Sequence, residues 1–125
     1  MVYLRSVYTA AAARRKKSGG LNDEPPIRLH PAGEVLGVAE GLETALAARQ
    51  LFGVPAWSCI SAAGVESFTP PKEVRKVIVF GDNDASGTGQ AAGWTLAKRL
   101  IAAGMVVEVK LPERIGTDFA DEVEA

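Results

Sequence analysis

An α/β fold with a four-stranded, mainly parallel sheet in the order 2-1-3-4 and helices on both faces is predicted by three observations. First, short apolar runs recur at 35–39, 56–61, 76–81 and 105–111, each bounded by glycine, proline or polar turn residues. Runs of this length read as strands buried on both faces of a parallel sheet. Second, helical patterns separate these runs, and strand alternating with helix is the signature of a parallel sheet covered on both sides. Third, two of the runs end in acids: Glu40-Gly41 after the first and Gly81-Asp82-Asn83-Asp84 after the third. Order 2-1-3-4 makes those two strands neighbours, and their C-terminal ends then flank the topological switch point where open α/β sheets place their sites.

The bulk numbers agree with one domain. The chain has 125 residues, enough for a single core, and its 47% hydrophobic and 23% charged content is that of a globular protein rather than a disordered one. Its apolar runs are too short to span a membrane, and no basic-then-apolar leader opens the chain. A lone cysteine, Cys59, excludes an internal disulfide and fits a reducing, cytoplasmic setting. With His30 the sole histidine, no structural zinc site is made within the chain. Charge is unevenly spread. Residues 1–34 carry six Lys/Arg against three Asp/Glu, and residues 35–125 carry eight against twelve. The globular part is therefore not a basic nucleic-acid clamp, and a bound cation or another domain must supply positive charge towards phosphates.

Taken in order, residues 1–33 read as a basic, poorly patterned connector. Short strand pieces are expected at 2–4 and 7–8, a solvated basic run at 14–17, and loop composition at 18–26. Ile27-Arg28-Leu29 alternates like a short strand, and His30 has no partner at metal spacing. The strand at 35–39 meets a helix over 42–52, with Leu42, Ala45, Leu46 and Phe52 on its apolar stripe and Glu43, Thr44 and Gln50 off it. Gly53 ends that helix. The strand at 56–61 buries Cys59 as a small hydrophobe. Ala62-Ala63-Gly64 reads as a turn before one helical turn at 65–68. The strand at 76–81 is followed by a helix closing at Ala103, with Gly93, Leu96, Ala97, Leu100 and Ile101 inward and Lys98 and Arg99 outward. The alternation Val107-Glu108-Val109-Lys110 predicts an edge strand with one wetter face. Gly116 to Glu122 reads as a helix start capped by Thr117 or Asp118.

The acids carry the functional argument. Asp-x-Asp alone also suits a turn and a helix cap, and Glu40 and Glu43 also suit the positive end of a helix. Glu40, Asp82 and Asp84 on one rim would repel one another, and a hard divalent cation removes that conflict. Mg²⁺ fits, since it prefers oxygen ligands, keeps several waters and commonly takes one or two carboxylates plus substrate phosphates. The small residues around Gly41, Ser86 and Gly87 would let a phosphate approach the backbone. The segment lacks the Gly-Lys-Ser/Thr of a P-loop and the third glycine of a dinucleotide fingerprint. A phosphatase with a nucleophilic aspartate would leave Glu40 unexplained.

Two segments resemble a known family. Val35 to Ala48, VLGVAEGLETALAA, resembles the first motif of Toprim domains, and Val77 to Ala92, VIVFGDNDASGTGQAA, resembles the second. The resemblance covers about residues 34–122 and makes 34–125 the Toprim domain. It implies a compact, Rossmann-like domain with a four-stranded parallel sheet and a Mg²⁺ site (Mn²⁺ as substitute), with Glu40, Asp82 and Asp84 as catalytic and metal-binding acids. The wording is nearest the primase or primase-helicase branch of phages, plasmids and mobile elements. Gly116 to Glu122, GTDFADE, looks like that branch's later Gly-Lys-Asp-x-Asn-Asp, with Thr117 and Ala120 in place of the usual Lys and Asn. Asp118 and Glu43 are auxiliary candidates. The resemblance implies Mg²⁺-dependent RNA primer synthesis on single-stranded DNA, with nucleoside triphosphates as substrates. A zinc-binding module and a helicase, in the same or an adjacent chain, are the implied partners. This chain carries no zinc module, so it is read as a fragment, a truncated product or a stand-alone small Toprim protein. A nuclease and a non-catalytic module docking on a helicase are the alternatives.

Overall fold

The sheet forms because four apolar runs each divide their side chains between two buried faces. In the computed structural model, which describes residues 25–124, the strands are β1 (Val35–Ala39), β2 (Ala56–Ser58), β3 (Lys76–Phe80) and β4 (Val106–Lys110). All are parallel, in the order β2-β1-β3-β4. The predicted fold class and strand order are those observed. Leu36, Val38, Trp57, Val77 and Val79 face one layer, while Val35, Ala39, Ala56, Ile78 and Phe80 face the other. This is the period-2 alternation of strands, here with both faces covered.

The helices are α1 (Leu42–Phe52), α2 (Ala62–Ser67), α3 (Thr88–Ala102) and α4 (Phe119–Glu124). Helices α2 and α3 pack together over one face, and α1 and α4 over the other. Because α1 packs against both the sheet and α4, it buries more than one stripe: Leu42, Thr44, Ala45, Ala47 and Ala48. Thr44, expected off the apolar face, is only 4% exposed. Phe52, expected on it, is 42% exposed at the helix end, yet its ring stacks on Phe80 at 5.3 Å and meets Phe119 edge-on at 5.6 Å. On α3, Ala92, Gly93, Leu96, Ala97 and Leu100 are buried, whereas Ile101, expected inward, lies on the flank and is exposed.

Other boundaries shift for local reasons. Strand β2 is three residues long rather than six, because Ile60 turns the chain with a positive φ of 78°. Helix α2 includes Ala62, Ala63 and Gly64, expected as a turn, because the Ser61 hydroxyl accepts the Gly64 N–H at 3.0 Å and starts the helix there. Arg99, expected to point outward, reaches back to donate to the carbonyls of Glu66 and Phe68 and caps the end of α2. Strand β4 is an edge, as its alternation predicts, and its wetter face carries Glu108 between Lys76 and Lys110 at 3.1 and 2.9 Å. At the other edge, Ile27 pairs antiparallel with Ser58. His30 is structural: its Nδ1 accepts the Ala56 N–H at 3.2 Å and its carbonyl accepts the Trp57 indole N–H at 2.7 Å. Cys59 is buried, and burial pushes its thiol up to about 12. The strand pieces and basic run expected at 2–17 lie outside the described residues. Among the described residues, no helix is long and apolar enough to cross a membrane.

Candidate functional site

Parallel register fixes the rim. Ala39 pairs with both Phe80 and Ser58, so β1, β2 and β3 end at one level. Glu40 leaves the end of β1, and Asp82 lies two residues past the end of β3. Successive connections leave the sheet to opposite faces here: α1 follows β1 on one side and α3 follows β3 on the other. The two acids therefore flank the crevice at the switch point. The Glu40 main chain is anchored by the buried Ser58, whose hydroxyl donates to the Glu40 carbonyl at 3.1 Å and accepts the Ile60 N–H at 3.3 Å.

Electrostatics separates the three principal acids. Glu40 is half-buried and held above the usual carboxylate range, first by burial and then by the charges of Asp82 and Asp84. Asp82 is also raised, first by burial, then by Asp118, Asp84 and Asp121, while the Thr44 hydroxyl, donating at 3.5 Å, opposes the rise. Asp84 is lowered. The Ser86 hydroxyl donates to its Oδ1 at 2.8 Å and is the main cause; the Gly87 N–H adds 2.7 Å to the same oxygen and the Gly89 N–H 3.3 Å to Oδ2. Asp84 thus shapes the turn into α3, whose N-cap Gly87 takes the left-handed φ of 76°.

The structure brings Glu40, Asp82 and Asp84 within electrostatic reach of one another. It also draws in Asp118, which exerts the largest neighbouring charge effect on Asp82. Asp118 doubles as the N-cap of α4: its Oδ1 accepts the Asp121 N–H at 2.9 Å, and Asp121 Oδ2 accepts the Asp118 N–H at 2.9 Å. That reciprocal pair is a capping box. Glu43 is not among the charges acting on Glu40; it is exposed in the first turn of α1. Among the described residues nothing lies within 4 Å of the Cβ position of Gly41, whereas the donors at Ser86, Gly87 and Gly89 are directed at Asp84.

Three residues beyond the predicted site residues bear on the rim or the loops around it. Thr44 supports Asp82 from the buried side of α1. Asp121 adds charge at the rim, and its i+3 spacing from Asp118 is the available sequence signal. Asn83, between the two aspartates, bonds to the segment after β4 rather than to the rim: its Nδ2 donates to the Pro112 carbonyl at 2.8 Å.

Among the described residues, no group of three or more His, Cys, Asp or Glu side chains is drawn tightly enough together to hold a metal by itself. The donor set nevertheless suits a hydrated hard cation. Two half-buried carboxylates, Glu40 and Asp82, face mutual repulsion, and among the described residues the charges shifting them are all acidic. Mg²⁺ needs one or two protein carboxylates and keeps waters for the rest. Softer metals find no thiolate here, since the Cys59 thiol is buried and protonated.

Residues 35–125 match the family model of the Toprim domain. No curated protein and no solved structure matches the chain.

Proposed function

The chain belongs to the Toprim domain family, and from that membership we propose that its acid rim performs Mg²⁺-dependent nucleotidyl transfer of the primase type, synthesising RNA primers on single-stranded DNA. Toprim domains act on nucleic acids and bind Mg²⁺. The finer reading draws on the wording of the two motifs, which resembles the phage, plasmid and mobile-element primases. The observation that carries it is the pairing of β1 with β3, which sets Glu40 beside Asp82 at the switch point.

Asp82 would hold the metal with Asp84 beside it, and Glu40 would stand at the edge of that site. Bound Mg²⁺ would neutralise charge on the nucleotide phosphates. In the reaction a 3′-hydroxyl attacks the α-phosphorus of a nucleoside triphosphate, the new phosphodiester forms, and pyrophosphate leaves. Glu40 is the acid suited to exchanging the hydroxyl proton, because its half-buried, raised carboxyl lies closer to the working pH than an ordinary carboxylate. Asp84, fixed by Ser86, Gly87 and Gly89, stays ionised and orders the loop. Gly41 is the open approach for a phosphate, while at Ser86 and Gly87 a phosphate would compete with Asp84 for its donors.

The test is incubation with labelled single-stranded DNA and Mg²⁺, with and without nucleoside triphosphates. Nucleotide-dependent extension is expected, reduced roughly 10²-fold or more by Glu40→Gln or Asp82→Asn. Strand scission without nucleotides would replace the primase reading with a nuclease. Extension that survives both substitutions would remove these residues from the reaction.

A further inference from the structure

Asp82-Asn83-Asp84 sends alternate residues to opposite sides. Asn83 pairs antiparallel with Thr117, through Asn83 N–H to the Thr117 carbonyl at 3.0 Å and Gly116 N–H to the Asn83 carbonyl at 2.5 Å. That register sets Asp82 opposite Asp118, and side chains of directly opposed residues share a side. Asn83 points the other way. Its Nδ2 donates to Pro112 O at 2.8 Å and to Glu113 O at 3.4 Å, and its Oδ1 accepts from Gln90 Nε2 at 3.3 Å. Gln90 Nε2 also donates to the Asp84 carbonyl at 3.0 Å. One side chain thus joins the acid loop after β3, the first turn of α3 and the segment 112–117 after β4. Just beyond that segment, Asp118 is locked by its capping box to α4.

We propose that Asn83 is a positioning residue of the rim: it fastens the segment 112–117 against the acid loop and so holds the Asp118 carboxylate opposite Asp82. The proposal rests on reading the rim as the Mg²⁺ site, and it gives the middle residue of Asp-x-Asp a task that neither aspartate performs. Alanine at 83 would remove the side-chain bonds to Pro112 and Glu113 and keep the main-chain pairs with Gly116 and Thr117. Aspartate would keep the volume but present an acceptor to the Pro112 and Glu113 carbonyls.

Asn83→Ala and Asn83→Asp, made in the full chain, test this by amide hydrogen exchange and by calorimetric titration with Mg²⁺. In both variants the Gly116 amide is expected to exchange about 10-fold faster or more, with the amides of 77–80 unchanged. Mg²⁺ affinity is expected to fall about 10-fold, as it does when groups supporting metal ligands are removed. Unchanged exchange at Gly116 overturns the fastening role. So does equal acceleration across 77–80, which is global loosening. A loosened segment with parental Mg²⁺ affinity overturns the link to the rim. A parent chain that binds no Mg²⁺ refutes the metal reading and with it that link, while exchange at Gly116 still decides the fastening.

Discussion

Replacing Asp82 with asparagine should stabilise the metal-free protein and abolish its stabilisation by Mg²⁺. Asn keeps the shape of Asp and can still accept from Thr44, so what changes is charge. Asp82 is half-buried and faces Asp118, Asp84 and Asp121. Each partly exposed like-charge pair is worth a few tenths of a kcal/mol after solvent screening, so removing the Asp82 charge should gain about 1 kcal/mol. In a domain of this size that raises Tm by roughly 5 °C. Because burial and neighbouring acids raise Glu40 and Asp82, the folded state holds their protons more tightly than the unfolded chain. Their ionisation therefore costs stability, and this cost appears as pH rises from the ordinary carboxylate range through the raised values. Asp84 has the opposite sign: it stabilises above its ordinary range and loses that contribution as pH falls through its lowered value. The gain from Asp82→Asn should thus be present at pH 7, shrink as pH falls through the raised value, and be gone below about pH 4, the ordinary carboxylate range. Mg²⁺ at 10 mM, for a dissociation constant of about 1 mM, should stabilise the parent by about 1.4 kcal/mol and the variant hardly at all. Thermal melts at both pH values, with and without Mg²⁺, would show the two proteins exchanging rank. An Asp82→Asn protein that melts lower without metal, or gains from Mg²⁺ as the parent does, refutes the reasoning.

Three further outcomes concern the frame that holds the rim. Gly64→Ala would place a Cβ 2.0 Å from the Cys59 carbonyl oxygen, so the α2 start must move; a loss of about 2–3 kcal/mol, read by urea unfolding, is expected. Arg99→Ala removes charged donors to the Glu66 and Phe68 carbonyls and should cost about 1–2 kcal/mol by the same measurement. Cys59, with its thiol near 12, should react with a disulfide reagent at pH 8 roughly 10³-fold more slowly than a free cysteine, and at the ordinary rate in denaturant.

The order and direction of the strands were legible because both faces of the sheet are covered, so apolar runs and their glycine or acid endings carry the topology. The positions of Glu40 and Asp82 followed from that topology alone. Thr44 was not legible, since a single apolar stripe does not anticipate a helix packed by α4 as well as by the sheet. Ile101 and Phe52 failed for the converse reason: their place on the stripe says nothing of where the neighbouring layer ends. Asn83 had no readable role because its partners lie about 30 residues away, across a pairing that periodicity does not encode. Asp84 forms its turn through its own hydrogen bonds, as Asp-x-Asp suits, and it also places a charge that acts on Glu40.

The most direct test of the central claim, that the acids at the switch point bind a divalent cation, is titration of ¹⁵N-labelled protein with Mg²⁺, followed by trace Mn²⁺. The account predicts saturable shifts and then paramagnetic broadening centred on Glu40, Asp82, Asp84 and Asp118, and their loss in Asp82→Asn. No change at those amides, or broadening centred on the exposed acid Glu113, outside the rim, would contradict it.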